Sequence, residues 1–299
     1  MEKIKLLYLV SMEYSGSTLV ALLLGSHKDI ATVGELSGPD PRIKKEEHPC
    51  SCGSTTMQCP FWHRIEDRLA EKGIQYSVLE QDKKWRCSNN RYISYALTLP
   101  FKNKLIDGIQ GFFLKRLGRV RDLFEIRPIL MREILMDYGA SVFLDTDKEI
   151  AQLQVLRRHR DLDIKVLHLV RDGRGQFASQ LRRGKDAMTA ARRLAVYDLR
   201  AMNLRDIMGA DRYMLMKYED LCSDPKTYLG RVAEFVGLDS LGFPEGFRRE
   251  DLHVFGNGMA KSFTGAIVLD ERWHDELNEK DLLLLEQIAG ERNRILGYS

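Results

Sequence analysis

Residues 3–24 read KIKLLYLVSMEYSGSTLVALLL, which is an apolar run, a turn of small and polar residues, and a second apolar run. The first run, residues 3–10, has the length and composition of a buried strand, and residues 18–24 have those of a helix. Residues 11–18 (SMEYSGST) therefore connect a strand to the N-terminus of a helix. Such a connection favours an anion, because the N–H groups of the first helical turn and the positive end of the helix dipole point to one place.

Small and hydroxyl-bearing residues make this loop suitable for a phosphate group. Gly16 lets the backbone approach closely, and Ser15, Ser17 and Thr18 supply hydroxyl donors. The loop differs from the G-x-x-x-x-G-K-[ST] pattern, because Ser11 stands at the first glycine and Ser17 at the lysine. Without that lysine, transfer of an ATP γ-phosphate is disfavoured. An ordinary strand-to-helix turn with a Ser or Thr cap is the alternative.

Strand-like and helix-like runs alternate along the chain, as expected for βαβ units over a parallel sheet. Strands are predicted at residues 30–33, 141–144, 164–170 and 212–217, and helices at 148–159 and 225–236. We predict an α/β fold, a P-loop-type three-layer sandwich with a central parallel sheet between helices, forming one domain over residues 1–299. A loop insertion is expected at about 40–65, and a helical region over the acceptor site at about 66–140.

The composition excludes several classes of protein. The chain has 299 residues, of which 44% are hydrophobic and 30% charged, a profile typical of a globular protein rather than a disordered one. The formal net charge is only +3, which disfavours a polycation that binds nucleic acid but allows a local site for a small anion. No apolar run approaches the roughly 20 residues that span a bilayer. We therefore expect a soluble cytoplasmic protein, whose first strand begins too early to leave room for a membrane stem.

A second candidate anion site follows the strand predicted over residues 164–170. Residues 171–175 read RDGRG, so Arg171 lies at the carboxyl end of a parallel strand, where open α/β sheets bind ligands. Ser179 lies about two helical turns further on, and its hydroxyl can converge with the Arg171 guanidinium on one phosphate. Arg174 is a further candidate, although the sequence RDGR alone also fits a surface turn.

The two elements together resemble the nucleotide site of sulfotransferases that use 3′-phosphoadenosine 5′-phosphosulfate (PAPS). In that family an S-G-[ST]-T-type loop holds the 5′-phosphosulfate, and an R-D-x-R…S element holds the 3′-phosphate. Other segments match in the same order: residues 50–62 (C-S-C-G…C-P-F-W), 145–148 (DTDK), 217–221 (KYEDL) with Asp224 and Pro225, and His253 before Gly256, Asn257 and Trp273. The resemblance covers nearly the whole chain.

The resemblance implies an activity and several residue roles. It implies transfer of a sulfuryl group from PAPS to a hydroxyl or an amine of a small-molecule acceptor, release of 3′,5′-ADP, and no requirement for a metal. It implies that Tyr218 lies beside the adenine. Glu35 is the predicted general base, with a solvated loop glutamate as the alternative. His27 is a second candidate base, although its position also fits the end of the first helix.

The chain departs from the family pattern at two positions. Tyr14 stands where members usually carry Arg or Lys just before the loop, although it stays a candidate contact of the nucleotide. Ala260 stands where an Arg often follows the G-N pair. Lys148, which matches a family lysine near the reacting sulfate, is a candidate substitute for the first missing charge, and Lys261 for the second.

Cys50, Cys52 and Cys59 lie within ten residues of one another. With His48 and His63 they could supply four ligands to zinc, although C-x-C differs from the usual paired spacing. A disulfide is another possibility, and free, partly buried thiols are a third. The sequence favours free thiols, so we predict no metal site.

Two other functions remain open at this level. A P-loop nucleotide kinase would require Mg²⁺ and a lysine that the loop lacks. The second alternative is a nucleotide-binding module that has lost its catalytic activity. Tyr14 favours it, because the family's usual Arg or Lys is missing there.

Overall fold

The computed structural model describes residues 2–37, 43–79, 108–109, 112, 118–239, 252–254, 263 and 265–298. Within them, five parallel strands form one sheet in the order β2-β3-β1-β4-β5. The strands are β1 (Ile4–Ser11), β2 (Ile30–Thr32), β3 (Val142–Asp145), β4 (Leu162–Val170) and β5 (Tyr213–Lys217). Because all five run in the same direction, their carboxyl ends lie along one edge of the sheet.

Helices cover both faces of this sheet. They are α1 (Ser17–Gly25), α2 (Pro60–Glu71), α3 (Gly118–Tyr138), α4 (Ile150–Leu156), α5 (Gly173–Arg182), α6 (Ala187–Met202), α7 (Leu204–Met208), α8 (Tyr218–Ser223), α9 (Pro225–Phe235), α10 (Trp273–Glu276) and α11 (Glu279–Ile295). Short 3₁₀ turns occupy Lys45–Glu47, Thr56–Gln58 and Ala210–Arg212. Among the described helices, none combines the length and the apolar character needed to cross a membrane.

The central strand β1 is buried on both faces. Leu6 and Tyr8 belong to a core formed with α2, α3 and α4, whereas Leu7 and Leu9 belong to a core formed with α1 and α9. Side chains alternate between the two faces of a strand, so both cores need apolar residues, and β1 reads as a continuous apolar run. The loop after β1 therefore lies at the middle of the sheet edge.

The predicted α/β fold is confirmed, and the strand and helix positions agree with the sequence to within a few residues. The predicted loop at 40–65 is too long, because α2 begins at Pro60, which suits the first turn of a helix. The helix predicted from residue 148 begins at Ile150, since Lys148 adopts a positive φ of 68°. Most of the predicted acceptor region between residues 80 and 117 lies outside the described residues.

Candidate active site

Each of the five strands is followed, at or shortly after its carboxyl end, by a residue that the sequence singles out. The loop with Gly16 follows β1, Glu35 follows β2, and Lys148 follows β3. Arg171 follows β4 directly, and Tyr218 follows β5 directly. The fold thus brings residues from five separate parts of the chain to one edge of the sheet, which is where open α/β sheets bind ligands.

The loop after β1 has the backbone of an anion site. Gly16 precedes α1 with a φ of +90° and without a side-chain cap, which leaves the first N–H groups of α1 for a ligand. A Cβ atom on Gly16 would lie 2.5 Å from Cδ2 of Tyr218. Glycine is therefore required here both by its φ and by the tyrosine ring that lies against it.

Ser15 holds the shape of this loop from within the protein. Its side chain is buried, and its hydroxyl donates to the Met12 carbonyl oxygen at 2.7 Å. The Gln176 Nε2 amide of α5 donates to the same hydroxyl at 2.5 Å. The Ser15 side chain is thus engaged with the protein, so what it can offer a ligand is its backbone.

Arg171 joins the second anion element to the loop. Its Nη1 donates to the Tyr14 carbonyl oxygen at 3.1 Å, and its Nη2 donates to the Asp270 carbonyl oxygen at 2.6 Å. The guanidinium also lies 4.7 Å from the centre of the Tyr218 ring. Nη2 also lies 3.3 Å from the Asp270 carboxylate, and the N–H donors of the guanidinium that these contacts do not use are left for a phosphate.

Gly175 lies next to both Arg171 and Ser179, the two residues that the sequence assigns to one phosphate. A Cβ on Gly175 would lie 2.9 Å from Nε of Arg171, so the missing side chain makes room for the guanidinium. The Ser179 hydroxyl donates to the Gly175 carbonyl oxygen at 2.8 Å. Both side chains therefore pack against one turn of α5.

Arg174 has a structural environment of its own. Its guanidinium makes hydrogen bonds with both oxygens of Asp172, which caps the N-terminus of α5. It also lies 4.4 Å from the centre of the Trp273 ring. These contacts fasten α10 to the start of α5.

Glu35 and Lys148, two of the three predicted catalytic residues, form an ion pair between Oε1 and Nζ. The Glu35 side chain is 42% exposed and that of Lys148 is 18% exposed, so a small acceptor can reach the carboxylate. Lys148 is held in its left-handed conformation by Tyr197, whose hydroxyl donates to the Lys148 carbonyl oxygen. The structure therefore places an acid–base candidate beside a cation.

A buried polar network that the sequence did not indicate supports this pair. Asp147 accepts hydrogen bonds from the backbone N–H of Ser37 at 2.8 Å and from its hydroxyl at 2.9 Å, which ties the chain after Glu35 to the loop after β3. Arg127 of α3 contacts Asp147 and lies 3.0 Å from Asp145. The pKa of Asp145 is raised to about 6, mainly by burial; the Arg127 charge partly offsets this rise, and the Glu35 charge adds to it.

His27 lies at the other end of α1 from the loop. The Asp29 N–H donates to its Nδ1 at 3.1 Å, so Nε2 carries the proton and donates to the Asp239 carbonyl oxygen at 2.9 Å. Both ring nitrogens are used, and about 13 Å of helix separates them from the loop. This geometry favours Glu35 over His27 as the base. Lys261 lies outside the described residues.

Tyr14 lies near two cations of the α5–α6 region. Its φ of +66° is unusual for a residue other than glycine, and Lys185 lies 5.6 Å from the centre of its ring. Lys185 and Arg193 both pair with Glu13. Both cations near Tyr14 are therefore already paired with a carboxylate.

The chain is similar to solved sulfotransferase structures. It matches the sulfotransferase domain of the olefin synthase from Synechococcus PCC 7002 with a TM-score of 0.54 and 19% identity, over 96% of this chain and 95% of that one. A sulfotransferase domain from the curacin biosynthetic pathway matches with a TM-score of 0.46 and 14% identity, over 100% of this chain and 99% of that one. A sulfotransferase from Mycobacterium avium matches with a TM-score of 0.47 and 14% identity, over 100% of this chain and 78% of that one. No protein-family model and no curated protein matches the sequence. The first likeness shows the fold, so the predicted sulfotransferase fold is confirmed.

Proposed function

We propose that this protein is a sulfotransferase that takes a sulfuryl group from PAPS and transfers it to a hydroxyl or an amine of a small-molecule acceptor, releasing 3′,5′-ADP. The observation that carries this proposal is the set of five residues at the carboxyl edge of a sheet with the sulfotransferase fold. The functional assignment of each residue rests on the chemistry of its side chain and on its contacts.

The described residues fit a donor with anionic groups at two ends. The loop N–H groups before α1 suit the 5′-phosphosulfate. Arg171 and Ser179, which pack against the same turn of α5, suit the 3′-phosphate. The Tyr218 ring is buried and lies against both Gly16 and Arg171, so it forms part of the wall beside which we place the adenine.

The chemistry of transfer assigns different roles to Glu35 and Lys148. A bond forms between the acceptor oxygen or nitrogen and sulfur while the bond from sulfur to the phosphate oxygen breaks, and the electron pair stays on that oxygen. The Glu35 carboxylate accepts the proton of the acceptor. Lys148 stabilises the negative charge of the sulfuryl oxygens, and the loop N–H groups stabilise the charge that builds on the leaving phosphate.

A thermal-shift titration tests the donor site. We expect 3′,5′-ADP to raise the melting temperature, because a ligand at 100 times its Kd stabilises a protein by about 2.7 kcal/mol. We expect 5′-AMP, which lacks the 3′-phosphate, to do so much less, and ATP with Mg²⁺ to have no effect. Equal shifts with 5′-AMP and 3′,5′-ADP would contradict the second phosphate site, and a response to ATP with Mg²⁺ alone would favour a kinase.

Activity is tested separately, with labelled PAPS and a panel of small hydroxyl and amine acceptors. Transfer of label to an acceptor, in the absence of added metal, is the expected result. A protein that binds 3′,5′-ADP but transfers label to no acceptor in a broad panel would be a nucleotide-binding module rather than an enzyme.

A further inference from the structure

A second cluster of reactive side chains lies outside the candidate active site. Cys50 and Cys52 belong to the loop before α2, and Cys59 immediately precedes the first residue of α2. His253 joins them although it lies 194 residues after Cys59. The three Sγ atoms and the His253 Nδ1 all lie within 4.8 Å of one another.

Four of the six distances between these atoms are close to those of a metal tetrahedron. Cys59 Sγ lies 3.7 Å from Cys50 Sγ and 3.7 Å from Cys52 Sγ. His253 Nδ1 lies 3.3 Å from Cys59 Sγ and 3.5 Å from Cys50 Sγ. A tetrahedral zinc ion, with Zn–S of about 2.3 Å and Zn–N of about 2.0–2.1 Å, has S–S edges of about 3.8 Å and S–N edges of about 3.6 Å.

The loop that carries the first two cysteines is built as a tight turn. The Gly53 N–H donates to the Cys50 carbonyl oxygen at 3.1 Å, and the Cys50 N–H donates to the Ser54 carbonyl oxygen at 2.9 Å. Gly53 has a φ of +98°, a conformation that glycine adopts without strain. The turn directs both sulfurs towards the start of α2, where the positive end of the helix dipole favours a thiolate at Cys59.

His253 is fixed from both sides. The Ser51 hydroxyl donates to the Leu252 carbonyl oxygen at 2.6 Å and accepts from the Val254 N–H at 2.8 Å, so it holds the backbone on either side of the histidine. The imidazole stacks on the Phe61 ring with centroids 4.3 Å apart and an angle of 3° between the planes. These contacts aim Nδ1 at the three sulfurs.

We propose that Cys50, Cys52, Cys59 and His253 bind a zinc ion in a closed, structural Cys₃His site. Three thiolates and one imidazole are ligands that zinc prefers, and four protein ligands leave no open position for catalysis. No disulfide joins these cysteines, and the proposal assigns a ligand to thiols that the sequence predicted to be free. The sequence offered His48 and His63 as partners, but His63 Nε2 lies 2.7 Å from the Met57 carbonyl oxygen on the exposed side of α2.

The zinc ion would cross-link two distant parts of the chain. The segment around His253 belongs to the part of the sequence that resembles the family's tail, and the metal would fasten it to the loop before α2. Closing a loop of about 200 residues constrains the unfolded chain strongly, so we expect removal of zinc to lower the melting temperature.

Elemental analysis of the full-length protein, expressed with zinc in the medium and purified without a metal-affinity step, tests the proposal. We expect about one zinc per chain in the wild type and in Cys222→Ser, whose cysteine lies outside the cluster. We expect a loss of at least fivefold in Cys59→Ser and in His253→Asn. Full zinc content in both variants would overturn the proposal, and so would a wild-type protein that lacks zinc and does not take it up.

A spectroscopic measurement covers the case in which the variants do not fold. The wild type is stripped with a chelator and then loaded with Co²⁺. Strong visible absorption and a thiolate-to-cobalt charge-transfer band support a tetrahedral thiolate site, whereas the weak spectrum of octahedral cobalt would contradict it. Neither result depends on sulfotransferase activity, so this site and the proposed function can fail independently.

Discussion

Glu35 and Lys148 meet because the loops after two neighbouring strands, β2 and β3, turn towards each other. The contact has a conformational cost, since Lys148 holds a φ of 68°, and a non-glycine residue in this region costs about 1–2 kcal/mol. Backbone strain of this kind clusters at functional sites. At the residue scale, the strained lysine is the feature that motivates the catalytic role we propose for this ion pair.

We predict that Glu35→Gln lowers kcat by about 10²–10⁴-fold, the range that general-base catalysis contributes. The affinity for 3′,5′-ADP should change little, because the amide keeps the size of the carboxylate. Steady-state kinetics with PAPS and a thermal-shift titration measure the two effects. Glu47→Gln removes the same charge from an exposed surface pair with Lys44 and should keep wild-type turnover. Wild-type kcat in Glu35→Gln would disprove the assignment of Glu35 as the base.

Asp145 gives a prediction about pH. Its pKa is raised, by burial above all, to about 6 in the folded protein, against about 3.9 in an unfolded chain. At pH values between these two pKa values, Asp145 is protonated in the folded protein and ionised in the unfolded chain. The contribution of Asp145 to stability therefore falls as pH rises. The shift of about two units corresponds to about 3 kcal/mol in all, of which about 2 kcal/mol is lost between pH 4 and pH 7.

Asp145→Asn isolates this contribution, since an amide does not titrate. Urea unfolding of both proteins at pH 4.5 and pH 7 should show the wild type losing stability relative to the variant as pH rises. Asp147 still pairs with Arg127 in the variant. A difference in unfolding free energy that is the same at both pH values would mean that Asp145 has an ordinary pKa.

At the scale of elements, the unit β1–loop–α1 depends on the contact between Gly16 and the start of α8. A Cβ on Gly16 would overlap the Tyr218 ring at 2.5 Å, so an alanine must displace either the loop or the tyrosine. Both belong to the proposed nucleotide site. The effect of this substitution should therefore appear in ligand binding as well as in stability.

We predict that Gly16→Ala weakens binding of 3′,5′-ADP by at least tenfold, as measured by calorimetry. Gly73→Ala is the matched control, because Gly73 also has a positive φ, +75°, but has no atom within 4 Å of the added Cβ. Both variants bear the strain of the left-handed conformation, about 1–2 kcal/mol, and only Gly16→Ala meets the ring. Equal losses of affinity in the two variants would show that strain, not the contact, is responsible.

The sequence was most informative where structure is local. The apolar runs and small-residue turns predicted all five strands, the loop around Gly16 and the start of α5, because each is determined by neighbours along the chain. The contacts of Gln176 and His253 were missed because they depend on segments that lie far apart in sequence. Hydrophobic periodicity predicts which face of a helix or strand is buried. It does not predict which polar side chain from a distant helix or loop will contact that face.

At the scale of the whole molecule, a buried chain of polar groups links the C-terminal helix to the loop after β1. Arg292 of α11 is fully buried, donates to Asp198 of α6 at 2.8 Å, and donates to Gln176 at 2.9 Å. Gln176 in turn donates to Ser15. Burial raises the pKa of Asp198, but the hydrogen bond from His168 and the charge of Arg292 keep it below its usual value.

Through this chain of contacts, α11 supports the proposed nucleotide site, although none of the residues predicted to contact the nucleotide lies on α11. Removing one partner of a buried ion pair leaves a charge without compensation, which costs about 3–5 kcal/mol. We therefore predict that Arg292→Met lowers the free energy of unfolding by that amount and also weakens 3′,5′-ADP binding, since Gln176 loses the group that orients its amide. Urea unfolding and calorimetry measure the two effects.

Two further variants distinguish the loss of the buried ion pair from the loss of a positive charge on α11. Arg294→Met breaks a pair with Glu286 on the same helix whose side chains are 65% and 62% exposed, and such pairs contribute at most about 1 kcal/mol. In Arg292→Met/Asp198→Asn no buried carboxylate is left uncompensated, so much of the lost stability should return. The affinity for 3′,5′-ADP should stay low in that double variant, because Gln176 still lacks its partner. Recovery of affinity together with stability would mean that the loop responds to overall folding and not to this network.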